Sequence, residues 1–261
     1  MTRLFTFGCS FTYYKWPTWA DILSKNYAYY ENWAACGVGN QFIFNSVIEA
    51  LIRRKINQHD TVMIMWSNFS RWDRYQNGRW QTTLFSRNTN HSQWKSNDQL
   101  LNMMLDIRGS YIRDLALIYA THNLLDQIGC QHYIFSMVDI NNIAFGLYDT
   151  VDSEVSDLLQ AYEPSLSKIK PSVHRTVFDL DWHSRPIFSQ TPRKDIHPSP
   201  REHLLYLDSV VPEITISDHV RDWVIHADDL VQKHPEIDEP IDAEINHYGI
   251  PDWKTKRIER W

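Results

Sequence analysis

The segment Asp60-Thr61-Val62-Met63-Ile64-Met65-Trp66 constrains the fold of this chain more than any other. It is apolar without alternation, so both faces of the strand it forms must be buried, as in the centre of a parallel sheet. Parallel neighbours cannot be joined by a tight hairpin and need crossover connections, which helices usually supply. The chain has both ingredients. Further strands are expected at Leu4–Phe7, within Tyr27–Ala35 and at Tyr133–Met137. Helical spacing appears from Pro17 to Leu23, over Phe42–Ile56 through Ile43, Val47 and Leu51, over Tyr111–Ile128, and at Glu202–Leu207 and Asp218–Val231. Apolar runs alternating with amphipathic segments predict the α/β class, with a central parallel sheet covered on both faces.

A chain of 261 residues suffices for one generous domain. That domain is expected over residues 1–234, with insertions at about 70–107 and 141–192 and a C-terminal arm at 235–261. Ser70–Gln99 is polar, with Trp72, Tyr75, Trp80 and Trp94 set among Arg71, Arg74, Arg79 and Arg87. The region from Asn141 to Pro192 is mixed, with a helix expected near Val155–Tyr162. Connections of this length commonly serve as lids or binding loops. The arm is acidic and then basic and aromatic, suited to packing on the domain or to joining an oligomer.

A net charge of −6 argues against a nucleic-acid surface or an anionic membrane as partner. No apolar stretch approaches the ~20 residues of a membrane helix. Because Met1-Thr2-Arg3 leads straight into the first strand, no secretory signal is expected. Three cysteines, Cys9, Cys36 and Cys130, do not make a disulfide framework. The expectation is a cytoplasmic protein that binds neither nucleic acid nor membrane.

Chemistry enters at Gly8-Cys9-Ser10-Phe11-Thr12, immediately after the first strand. Open α/β folds bind their ligands at the carboxyl ends of the strands. A serine there either caps the next helix or serves as a nucleophile once a base activates it. His197, in Lys194-Asp195-Ile196-His197-Pro198, is the candidate base. In an extended segment Asp195 points to the same side and would orient the imidazole; Asp181-Trp182-His183 repeats that spacing. Asn68 follows the strongest strand, where its amide could donate to a developing oxyanion. Gly37, in Cys36-Gly37-Val38-Gly39-Asn40, could offer a backbone N–H to the same oxygen.

These four short blocks, in this order, resemble the SGNH (GDSL-type) hydrolases, an esterase and lipase superfamily. Gly8-Cys9-Ser10-Phe11 corresponds to the first block, Gly37 to the second-block glycine, Asn68 to the third-block asparagine, and Asp195 with His197 to the last block. Gly39 fits the second block less well, because Gly-x-x-Asn is matched when it begins at Gly37. The resemblance implies a flavodoxin-like three-layer α/β/α sandwich. It implies a Ser10-His197-Asp195 triad, with an oxyanion hole from the Ser10 and Gly37 N–H groups and the Asn68 side chain. The chain departs from the pattern at Cys9 and Phe69, each in place of an aspartate, and at Lys194, where the acid usually stands three residues before the histidine. Some members instead orient the histidine with a backbone carbonyl.

The expected activity is hydrolysis of a carboxylic ester through an acyl-enzyme, with a carbohydrate O-acetyl ester as the leading substrate. Arg71, Trp72 and Trp80 are the candidate substrate contacts, since flat aromatic faces beside cations suit a sugar or an acidic group. A catalytically weak binding or structural protein of the same fold, and an O-acyltransferase with the same triad, are the alternatives. No cofactor is expected. No metal is expected either, because His183, His197, His203, Asp181 and Asp195 match no compact zinc spacing. Cys9 and Cys36 are expected as small, poorly solvated filler behind the site.

Overall fold

The strands of this chain are short and apolar, so their order in the sheet decides which loops meet. The computed structural model of the chain describes residues 2–84, 107–140, 153–178 and 197–233. Four strands, β1 (Arg3–Phe7), β2 (Tyr29–Asn32), β3 (Thr61–Trp66) and β6 (Gln131–Ser136), pair in parallel in the order β2-β1-β3-β6. Every residue of β3 is buried, as its unbroken apolar sequence requires. Ile169 extends the sheet past β6 by a single parallel bridge to Ile134.

Two groups of helices flank this sheet. On one side α2 (Asn40–Arg54) packs on α3 (Ile107–Ile128), which packs on α4 (Ser153–Leu166). On the other, α6 (Pro200–Val210) packs on α1 (Trp19–Ser24), on α5 (Val173–Phe178) and on α7 (Asp218–Lys233). Each longer helix turns one stripe inward. Phe42, Ile43, Ser46, Val47 and Ala50 do so on α2, and Val220, Trp223, Val224, Ala227 and Val231 on α7. The result is the expected α/β/α sandwich. Trp19, Trp33, Trp66 and Trp223 are among its most deeply buried side chains, and a large apolar side chain removed from water stabilises the fold by about 1.5–3 kcal/mol.

Local signals set the element ends. Thr18 and Asp21 form a capping box that starts α1, and Ser199 and Glu202 form another that starts α6, with Pro200 in its first turn. The polar insertion after Asn68 begins as an antiparallel hairpin, β4 (Arg71–Gln76) and β5 (Arg79–Leu84). Its two-residue turn, Asn77-Gly78, has positive φ at both positions, 55° and 75°, as a type I′ turn demands. The helix near Val155–Tyr162 is present within the longer α4. No helix among the described residues is long and apolar enough to cross a membrane. The C-terminal arm lies outside the described residues.

Candidate active site

Order β2-β1-β3 makes the gap between β1 and β3 the point where the chain's connections diverge to opposite sides of the sheet. Open α/β sheets form their ligand crevice there, outside the carboxyl ends of the strands. Residues 8–13 leave β1 and residues 67–70 leave β3 at this point, so Ser10 and Asn68 come from loops of adjacent strands.

Ser10 sits in a tight turn. The N–H groups of Thr12 and Tyr13 both donate to the Cys9 carbonyl, at 2.9 and 3.1 Å. Folding back this sharply leaves no room for a side chain at Gly8, where a Cβ would fall 2.0 Å from Thr12 Oγ1. Cys9 is fully buried, with its Sγ 3.9 Å from Met137 Sδ. Ser10 is 4 % exposed, and its hydroxyl bonds to none of the described residues. Hydrogen bonds between catalytic groups are often open in unliganded enzymes and close when substrate binds.

The donors around that turn are distinguished by what they already hold. Gly39 N–H donates to Asp73 Oδ1 at 2.8 Å, so it is committed to the hairpin. Gly37 is exposed, with φ of +78° and no heavy atom within 4 Å of where a Cβ would stand. Asn68 accepts the Ser70 N–H on Oδ1 at 2.8 Å, which fixes the amide so that Nδ2 is the outward end. Among the described residues, the N–H groups of Ser10 and Gly37 and the Nδ2 of Asn68 donate to no protein acceptor.

His197 lies against the same turn. Its ring stacks on Tyr14 with centroids 3.9 Å apart and meets Phe11 edge-on at 5.5 Å. Trp16 Nε1 donates to the Pro198 carbonyl at 2.8 Å, anchoring the backbone beside the imidazole. On its other flank Phe11 stacks on His174 at 5.8 Å. Loops 182 residues apart in sequence are thus fastened to each other. Asp195, and the second pair Asp181 and His183, lie outside the described residues.

The three residues expected to contact substrate are tied into the hairpin. Arg71 Nη1 donates to the Val38 carbonyl at 2.8 Å, Trp72 lies under the Arg113 guanidinium at 5.3 Å, and Trp80 meets Phe42 edge-on at 5.7 Å. All three are half-buried. Cys36 is exposed rather than filler, because the Gly37 turn lifts it away from the core. Among the described residues no group of three or more His, Cys, Asp or Glu side chains is gathered to hold a metal.

No protein-family model matches the chain, and no curated protein matches its sequence. Among solved structures it is similar to a member of the lipolytic protein G-D-S-L family from Veillonella parvula. That match has 16% identity and a TM-score of 0.43, and it covers 82% of this chain and 100% of the other.

A buried polar network behind the loops was not expected from sequence. Asn40, the first residue of α2, accepts the Ser67 N–H on Oδ1 at 2.7 Å and returns Nδ2 to the Ser67 carbonyl at 3.1 Å. The same Nδ2 reaches Asp114 Oδ2 at 2.7 Å. Burial pushes the Asp114 carboxyl up to about 7, against the opposing pull of Arg113 and Asn40. Asp73 caps α2 from the hairpin, accepting the N–H groups of Gly39 and Phe42, both at 2.8 Å. These carboxylates and Asn40 lock the second and third loops together. The sequence hint was Asn40 itself, three residues after Gly37.

Proposed function

We propose that this chain is a serine ester hydrolase, with Ser10 as nucleophile, His197 as general base and Asp195 as the group that orients it. The observation that carries this reading is the packing of His197 on Phe11 and Tyr14, the residues that follow Ser10, at the crevice where Asn68 also emerges.

In the reaction His197 accepts the Ser10 proton as Oγ attacks the ester carbonyl carbon. Charge moves onto the carbonyl oxygen, which the N–H groups of Ser10 and Gly37 and the Asn68 amide receive. A single such donor is worth roughly 2.7–4 kcal/mol of barrier. The tetrahedral species collapses as protonated His197 gives its proton to the departing alcohol. Water, deprotonated by the same imidazole, then releases the acid and restores Ser10. No step needs a metal or an external redox partner.

The leading substrate is a carbohydrate O-acetyl ester, to which Trp72 or Trp80, on opposite faces of the hairpin, would supply one aromatic contact. Turnover of 4-nitrophenyl acetate by wild type and by Ser10→Ala tests the nucleophile. Loss of roughly 10⁴-fold or more in the variant is expected, with loss of labelling by a fluorophosphonate. Equal rates in the two proteins would remove Ser10 from the chemistry.

A further inference from the structure

A second feature of the same sheet edge is a cavity of about 440 Å³ beyond the end of β6. Its walls are Ser136, Asp139 and Ile140 on one side, with Leu166 and the segment Ile169-Lys170-Pro171 on the other, and Arg175 also lines it. The backbone around it is fixed. Lys170 N–H donates to the Ile134 carbonyl at 2.9 Å, His174 N–H to the Met137 carbonyl at 3.2 Å, and Tyr206 Oη to the Pro171 carbonyl at 2.8 Å.

Among the described residues, positive charge in this cavity exceeds negative. Neither Lys170 nor Arg175 forms an ion pair or a side-chain hydrogen bond with any described residue, and Asp139 is the one acidic side chain lining the cavity. By contrast Lys168, two residues away on the outer surface, is paired with Asp126 at 2.7 Å. Two cations and one carboxylate lining the concavity leave a net positive charge where a ligand could enter. An ammonium and a planar guanidinium together suit a carboxylate, sulfate or phosphate group.

Position connects the cavity to the catalytic turn. Met137, which follows β6, packs against Cys9, and His174, between Lys170 and Arg175, stacks on Phe11. β6 lies two strand spacings from β1 in the sheet, roughly 10 Å. A group held in the cavity would therefore sit one to two sugar units from a carbonyl at Ser10.

We infer that the Lys170–Arg175 cavity is an anion subsite, and that it selects esters carrying an acidic group roughly 10 Å from the scissile carbonyl. The preferred substrate is then an acetylated acidic saccharide rather than a neutral one. In its acetyl-ester part this inference rests on the hydrolase reading above; the anion subsite itself does not.

Calorimetric titration with disaccharides that lack the acetyl group tests the subsite without any turnover. The probes share one ring and differ in the other, which is glucose, glucuronic acid, glucose 6-sulfate or glucose 6-phosphate. An acidic probe should bind wild type and Ser10→Ala at least roughly tenfold more tightly than the neutral one. That preference should vanish in Lys170→Gln/Arg175→Gln, persist in Lys170→Arg, and weaken as salt is raised. The strongest of the three acidic probes identifies the anion. Equal binding of acidic and neutral probes by folded wild type overturns the subsite, whatever the esterase assay shows. Failure of wild type to turn over 4-nitrophenyl acetate overturns the hydrolase reading, whatever the titration shows.

Discussion

The indole N–H of Trp16 donates to the carbonyl of Pro198, and this one bond joins the loop that carries Ser10 to the segment that carries His197. The contact is buried, and the Tyr14 ring meets Trp16 edge-on and stacks on His197. Trp16→Phe keeps most of the packing and removes only the donor. The orphaned carbonyl should cost about 1–3 kcal/mol of stability. Because the imidazole loses its register against the turn, kcat should fall roughly tenfold or more while KM changes little. A variant with a lowered melting temperature and an unchanged kcat would show that His197 is positioned by other contacts.

Asn40 presents a sharper case, since its two amide atoms serve opposite ends of Ser67. Asn40→Ala would remove the partner of the Ser67 N–H and carbonyl, at about 1–3 kcal/mol for each buried group, and leave Asp114 held, among the described residues, by Arg113 alone. Asn40→Asp keeps the acceptor for the Ser67 N–H but sets a second carboxylate against Asp114. Two such groups share one proton at low pH and repel once both are ionised. The deficit of Asn40→Asp relative to wild type should therefore be small near pH 5 and grow towards pH 8 in urea unfolding. A deficit independent of pH would mean that the new carboxylate escapes to solvent.

Much of the fold was legible because the strands that form the parallel sheet are uninterrupted apolar runs, and their helices repeat at 3.6 residues. Thr61–Trp66 shows this most plainly, being apolar in sequence and buried at every position. The hairpin β4–β5 was not read, because Arg71–Gln76 does not alternate and buries only Asp73 fully. Asn77-Gly78 was the turn signal that could have revealed it. Asp73 and Asp114 were invisible for a different reason. Asp73 acts on Gly39 and Phe42, 34 and 31 positions away, and Asp114 on Asn40, 74 positions away, and local periodicity carries no record of such pairings. The Ser10 turn and the Asn68 amide were legible because each follows directly on a strand whose end the sequence marks.

Asp21 and Asp114 set one arm of the pH dependence of stability. Burial raises Asp21 to about 6 and Asp114 to about 7, both from an ordinary carboxyl value of 3.8. The folded state then binds these protons more tightly than the unfolded chain, so their contribution to stability is present at low pH. It is lost as pH rises through about 6 and about 7. Asp114→Asn retains an acceptor for Asn40 and removes the titration. Relative to wild type, its unfolding free energy should improve steadily between pH 4 and pH 7, at about 1.4 kcal/mol for each unit of displaced pKa as an upper scale. A constant difference across that range would show that Asp114 is ionised throughout and that Arg113 and Asn40 outweigh its burial.

His122 sets the opposing arm. It is fully buried on α3, and neither ring nitrogen has a partner among the described residues. Burial lowers its pKa from 6.5 to about 4, assisted by the nearby charges of His132 and Lys168 and opposed by Asp126. The folded state binds this proton less tightly than the unfolded chain, so the sign is reversed. Its stabilising contribution is present above about 6.5 and is lost as pH falls towards about 4. A buried polar ring without partners also carries a desolvation cost at every pH, about 1–3 kcal/mol. His122→Phe conserves the ring shape and removes both penalties. It should raise the melting temperature at neutral pH, and its advantage over wild type should widen from pH 6.5 down to pH 4.5. An advantage that shrinks on acidification would mean that His122 finds a hydrogen-bond partner once protonated, and the imidazole would then stabilise the acid form.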